Sequence, residues 1–147
     1  MGSSRLHNYW TDRFPLLALT LKWRKSTTYT WITDNHPSLV VMPDDFFYDH
    51  HKHFVAVELK TRKGRPREIV TGIGQCILAL TLFPVEASYL VIPKIRVTDN
   101  LKAALELCPY LGLVSYGAGG VLRIEVEPRE YLKRAATLRT SYAQTIW

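Results

Sequence analysis

Residues 54–60 read FVAVELK and run straight into the basic stretch TRKGRPRE at 61–68. In an extended chain successive side chains alternate between faces. Val55, Val57 and Leu59 therefore share one face, while Ala56, Glu58 and Lys60 share the other. Upstream, LVVMPDDFFY (39–48) has the composition of a second strand, interrupted at Pro43 because proline removes a ladder donor. DHHKH (49–53) lies between them as a polar tip, so the two segments are expected to pair as a hairpin. That pairing brings an upstream aspartate beside Glu58. The choice is Asp44, fourteen residues before it, or Asp45, thirteen before it, depending on how the chain bends at Pro43.

The flanking sequence supplies the other layers. PREIVTGIGQCILALTLF (66–83) has helical spacing, with Pro66 suited to a first turn and Pro84 to a stop. Ile69, Ile73, Ile77 and Leu80 form its apolar stripe, and Glu68, Gly72, Gln75 and Ala79 the opposite polar or small face. Gly72 and Gly74 weaken a helix by about 1 kcal/mol each relative to alanine, which suits close approach to a strand or a substrate. ASYLVIP (87–93) reads as a strand covered on both faces. A helix capped by Thr98 or Asp99 follows, then a hairpin of LGLVSY and VLRIEVE around GAGG. RFPLLALTLKWRK (13–25) fits a short helix or a strand, and TYTWITD (28–34) has strand composition. Strands and helices alternate around a mixed central sheet, an α/β arrangement. One domain is expected over 1–147, with a core of about 39–126 and a basic C-terminal helix at about 128–142.

Composition narrows the function classes. The 147 residues are 47% hydrophobic and 22% charged, ordinary for a water-soluble domain. No apolar run is long enough to span a bilayer. The opening MGSSRLHNYW lacks the apolar core of a secretory leader, so an intracellular, cytoplasmic setting is expected, with no membrane partner. Cys76 and Cys108 are too few for a disulfide framework or for the four ligands of an iron–sulfur cluster. The net charge of +6 and a pI near 9.4 favour a polyanionic partner. Lys60, Arg62, Lys63, Arg65 and Arg67 fall within eight residues attached directly to the Glu58 strand. These cations would dock a phosphate backbone without reading its sequence.

Two carboxylates converging from adjacent strands, with an amine beside them, suit a hard divalent cation. Such an ion lowers the pKa of bound water, while a neighbouring lysine orients that water or stabilises the crowded phosphorus centre. With Pro43-Asp44, then Glu58-Leu59-Lys60, the chain resembles the PD-(D/E)XK nuclease superfamily over roughly residues 39–126. The family core is a mixed sheet flanked by helices, with the motif on a central hairpin and a helix directly after it. The resemblance implies a restriction-endonuclease-like fold and a magnesium-dependent deoxyribonuclease, with manganese as a substitute ion. It implies Asp44 (or Asp45) and Glu58 as metal ligands and Lys60 as the catalytic amine. Gln75 stands where RecB-type members carry a glutamine, although the tyrosine that follows it in their motif is replaced by Ala79. The acidic residue that many members take from an N-terminal helix has only Asp12 to match it, with no convincing helix start around it. The small size looks like a Holliday-junction resolvase or a small viral or mobile-element nuclease. Resolution of junctions would call for a homodimer. The alternatives are a non-catalytic nucleic-acid-binding domain of the same fold and an RNA-directed endonuclease. DHHKH offers imidazoles for a transition metal, but as a hairpin tip it reads as a solvated turn.

Overall fold

The computed structural model describes residues 5–26, 43–60 and 65–133. Its centre is a six-stranded mixed sheet in sequential order. The strands are β1 (Arg24–Lys25), β2 (Asp45–Tyr48), β3 (Phe54–Leu59), β4 (Ala87–Pro93), β5 (Leu111–Tyr116) and β6 (Leu122–Val126). β1, β2 and β3 form an antiparallel meander; β4 and β5 run parallel to β3, and β6 returns antiparallel. Among the described residues three α-helices cover the sheet: α1 (Arg5–Ala18), α2 (Pro66–Leu82) and α3 (Asp99–Glu106). The chain is thus α/β. No helix among the described residues is long and apolar enough to cross a membrane.

Strand alternation sorts the core. Val55, Val57 and Leu59 pack with Phe47, Tyr89 and Val91 against Phe14 and Ala18 of α1 and against Trp23. On the other face Phe46, Phe54 and Ala56 meet Ala79 of α2, and Leu90, Ile92 and Leu113 meet Cys76 and Leu105. Trp23 is fully buried and stands edge-on to Tyr89 with ring centroids 4.6 Å apart. Beneath Tyr89 lies Gly112: a Cβ there would come within 2.5 Å of the ring. A glycine on β5 is what lets the tyrosine lie flat.

Several expectations hold. The described part of the upstream segment, 45–48, pairs with 54–57 as a hairpin, with Asp45 opposite Val57; residues 39–42 lie outside the described residues. Thr98 caps α3, its Oγ1 accepting the Leu101 N–H at 3.1 Å. The GAGG link joins β5 to β6 with Gly119 and Gly120 at φ of 74° and 77°.

Others need correction. The 13–25 segment, which fits either a helix or a strand by sequence, is helical to residue 21 despite Pro15 and ends in β1. Asp12, expected without a helix start around it, does lie on a helix, exposed. The buried side of α2 takes in the isoleucine stripe only in part: Ile69, Ile73 and Leu80 pack half-buried against the core. Gly72, Cys76 and Ala79 are buried, whereas Ile77 is 44% exposed. Small residues win that face because α2 lies close on β3 and β4: a Cβ at Gly72 would meet Leu90 Cδ1 at 2.6 Å. At Gly74 nothing lies within 4 Å, so close approach explains only the first of the two. The helix expected from 128 is not formed over 128–133. There the Arg129 and Glu130 amides both donate to the Pro109 carbonyl, and the Leu132 amide donates to Glu86. The strand-like 28–34 and the remainder of the proposed C-terminal helix lie outside the described residues.

Candidate active site

The site is built where the β2–β3 hairpin opens. Asp44, just ahead of β2, donates its backbone N–H to Val57 O at 3.0 Å, and its Oδ2 accepts the Leu59 N–H at 2.6 Å. This double anchor fixes the carboxylate beside the end of β3. Glu58, only 6% exposed, emerges on the α2 face of that strand, opposite Leu90 of β4. The Asp44 and Glu58 carboxyls come within hydrogen-bonding reach of each other. Lys60 Nζ stands 3.5 Å from Glu58 Oε1. Alternation along β3 therefore does what the sequence pattern requires: Glu58 and Lys60 share one side, and Asp44 joins them.

Electrostatics follow from this crowding. Burial pushes the Glu58 carboxyl up to about 8; the adjacent Asp44 charge adds to the rise, and Lys60 opposes it. A buried carboxyl beside another carboxyl holds its proton because both cannot ionise cheaply in a low-dielectric setting. Lys60 is placed by its backbone, whose N–H donates to Val91 O at 2.9 Å, and by its stem. That stem lies against Gly72, where a Cβ would meet Lys60 Cγ at 3.2 Å and Cε at 3.3 Å. Gly72 is thus the residue through which α2 shapes the lysine. One turn later on α2 comes Gln75, whose Oε1 is buried with no hydrogen-bond partner among the described residues. Cys76 lies close enough to feel Glu58, Lys60 and Asp44, but burial pushes its thiol up to about 12, so it is a packing residue rather than a nucleophile.

Asp45 does not join the cluster. Its place opposite Val57 turns it to the α1 side of the sheet, where Lys25 Nζ approaches Oδ2 at 3.5 Å and the Phe46 N–H donates to Oδ1 at 2.8 Å. Burial raises its pKa, opposed by that amide and by Lys25. Of the two aspartates the hairpin register selects Asp44. Arg65 and Arg67 stand exposed at the N-terminal end of α2; Arg62 and Lys63 lie outside the described residues.

The 49–53 turn is solvated only in part: His51 and Lys52 are exposed, while its other residues are tied down. Buried Asp49 accepts the His51 and His53 amides at 2.9 Å each and the Tyr131 hydroxyl at 3.0 Å. His50 bonds to Glu127, and His53 stacks on Tyr131 with centroids 3.7 Å apart. His50, His51 and Glu127 bring three ligand atoms within 4.8 Å of one another. The indole N–H of Trp23, however, donates to His50 Nδ1 at 3.2 Å. An indole can only donate, so the ring proton sits on Nε2 and goes to Glu127. Neither imidazole nitrogen of His50 keeps a lone pair for a cation. The cluster is a clamp joining the hairpin to the 127–131 segment. Glu127 and Tyr131 carry no sequence signal for this role; seventy-seven residues separate His50 from Glu127.

No protein-family model matches the chain, and no curated protein matches it. A similar solved structure is a protein of unknown function from Silicibacter pomeroyi. It is 11% identical, with a TM-score of 0.54 over 99% of this chain and 86% of that one. At that identity the likeness speaks for the fold alone.

Proposed function

We propose that this protein is a metal-dependent nuclease of the PD-(D/E)XK type, with a restriction-endonuclease-like fold, acting on DNA phosphodiesters inside the cell. The observation that carries the reading is the meeting of Asp44 and Glu58 on one side of the hairpin with Lys60 3.5 Å from Glu58. The residues fit magnesium. Two carboxyl groups lie within hydrogen-bonding reach, and Gln75 Oε1 on the covering helix is buried without a hydrogen-bond partner among the described residues. Together they offer hard oxygen donors once Glu58 loses its proton on binding the ion. Asp44 and Glu58 would hold the ion, which when bound supplies an acidified water and charge neutralisation at the leaving oxygen.

The chain's own groups do the rest. Asp44 is oriented by the Leu59 amide and brings no freedom to the site. Lys60, partly exposed at the rim, offers its ammonium to the attacking oxygen or to a phosphate oxygen. Gln75 presents a fixed acceptor for that water. Arg65 and Arg67 are placed to dock the flanking backbone. The order of elements, a hairpin followed by α2 and then parallel β4, supports the same reading.

The test is one gel: linear, circular, single-stranded and four-way-junction DNA, and matched RNA, each with and without magnesium. Wild type is expected to cut at least one DNA substrate only with the ion. Glu58→Ala and Lys60→Ala are expected to fold and bind but not cut. Magnesium-independent cutting, or cutting that survives Glu58→Ala, defeats the proposal. Binding without any cutting leaves a nucleic-acid-binding module.

A further inference from the structure

Lys22 and Lys52 have left-handed backbones, with φ of 64° and 65°, and no other non-glycine residue among those described has a positive φ. Each occupies a turn position that glycine fills more easily. Lys22 closes the short helical turn 19–21, its N–H donating to Leu19 O at 3.0 Å, and Lys52 closes the 49–53 turn, its N–H donating to Asp49 O at 2.8 Å. A left-handed residue bearing a Cβ costs roughly 1 kcal/mol or more. The two turns are thirty residues apart in sequence, yet both lysines line one groove of about 870 Å³, together with Arg24, Tyr48, Trp23 and His50.

The charge of this groove is one-sided. Lys22, Arg24 and Lys52 are exposed and have no acidic partner among the described residues. The carboxylate in the lining, Asp49, is buried and already accepts two amides and the Tyr131 hydroxyl. His50 is committed to Trp23 and Glu127. Nothing in the packing needs a lysine at either turn, and three clustered cations repel one another. A polyanion would relieve that repulsion. The groove lies at the far end of β2 from Asp44, four residues along the strand, which is roughly 14 Å. That matches the axial rise of about four nucleotides in a duplex strand.

We infer that this groove binds backbone phosphates of a nucleic acid, about four nucleotides from the bond held at Asp44 and Glu58. The occupant follows from the proposed nuclease reading; the groove itself rests on its own geometry. Phosphate esters of nucleic acid and free inorganic phosphates share the same chemistry, so the experiment separates them.

Anisotropy of a labelled DNA duplex is measured across a salt series in EDTA, for wild type, the double variant Lys22→Gly/Lys52→Gly, and Arg24→Ala. Glycine suits both backbones, so the double variant is expected to melt no lower than wild type while binding about tenfold more weakly. Its salt slope should fall by about two, one per lost phosphate contact. Arg24→Ala, outside both turns, should lower the slope by about one. Unchanged affinity and slope in both variants overturn the inference. Inorganic pyrophosphate that stabilises wild type but not the double variant, with duplex affinity unaltered, also overturns it and assigns the groove to free phosphate. Because binding is read without a divalent cation, the two proposals fail separately. Wild-type cleavage with unimpaired variant binding sinks the groove alone, and impaired variant binding without any wild-type cleavage sinks the nuclease alone.

Discussion

Replacing Glu58 by glutamine should stabilise the fold, an unusual expectation for a buried polar residue. In the unfolded chain this carboxyl titrates near 4.5, and in the folded protein its pKa is pushed up to about 8. Between those values the folded state holds a proton that the unfolded state has released. Stability therefore falls as pH rises from about 4.5 to about 8 and is level on either side. At pH 7 the penalty spans about 2.5 pH units of that window, on the order of 3 kcal/mol. Glutamine keeps the shape and removes the titration. Part of the gain is lost because Lys60 loses its partner at 3.5 Å, but its amine is partly exposed and can reach water. With about 2–4 °C per kcal/mol for a chain of this size, a net rise of about 5 °C in Tm is expected at pH 7. The assay is thermal unfolding from pH 5 to 8.5 in EDTA. The wild-type Tm should decline relative to Glu58→Gln across the window, and the two curves should converge near pH 5. Magnesium should raise the wild-type Tm and leave the variant's nearly unchanged. An equal or lower Tm for Glu58→Gln at pH 7, or parallel pH curves, would refute the claim that two crowded carboxyls strain this site.

Three further outcomes follow from the geometry. Asp44→Asn should abolish magnesium-dependent cleavage, whereas Asp45→Asn should keep it within a few-fold, because Asp45 faces Lys25 across the sheet; a gel assay of both reverses the assignment if Asp45→Asn is the dead one. Gly74→Ala, with nothing within 4 Å, should gain up to about 1 kcal/mol in urea unfolding. Gly72→Ala should slow cleavage by pressing on the Lys60 stem, and equal effects of the two substitutions on rate and stability would contradict that contrast. Gly112→Ala places a methyl 2.5 Å from the rigid Tyr89 ring and 3.0 Å from Pro128, and should cost at least 2 kcal/mol by the same measurement.

What could be read from sequence was what local periodicity controls. The two-residue repeat of β3 put Glu58 and Lys60 on one face, and the hairpin pattern brought an aspartate to them. The choice between Asp44 and Asp45 needed the register, which depends on how Asp44 anchors to Val57 and Leu59. The buried side of α2 was legible only in part. Ile69, Ile73 and Leu80 do pack on the core, but the closest contact falls to the small residues Gly72, Cys76 and Ala79, which contact distance rather than hydrophobicity selects. Residues 128–133 carry helix-forming side chains, but Pro128 beside Gly112 and the amides bound to Pro109 keep them out of a helix, an effect of partners distant in sequence. The same distance hid Glu127 and Tyr131 as partners of the 49–53 turn.

That clamp has a consequence for synthesis. The hairpin that carries Asp44 and Glu58 is fastened at its far end by Glu127 and Tyr131, and Glu86, which receives the Phe54 amide, is bonded through its carbonyl by Leu132. While a nascent chain is still emerging from the ribosome, both acids are already made, but the brace that steadies their hairpin is not. The acid pair therefore acquires its final rigidity only after residue 132 has left the ribosome, some seventy residues behind Glu58.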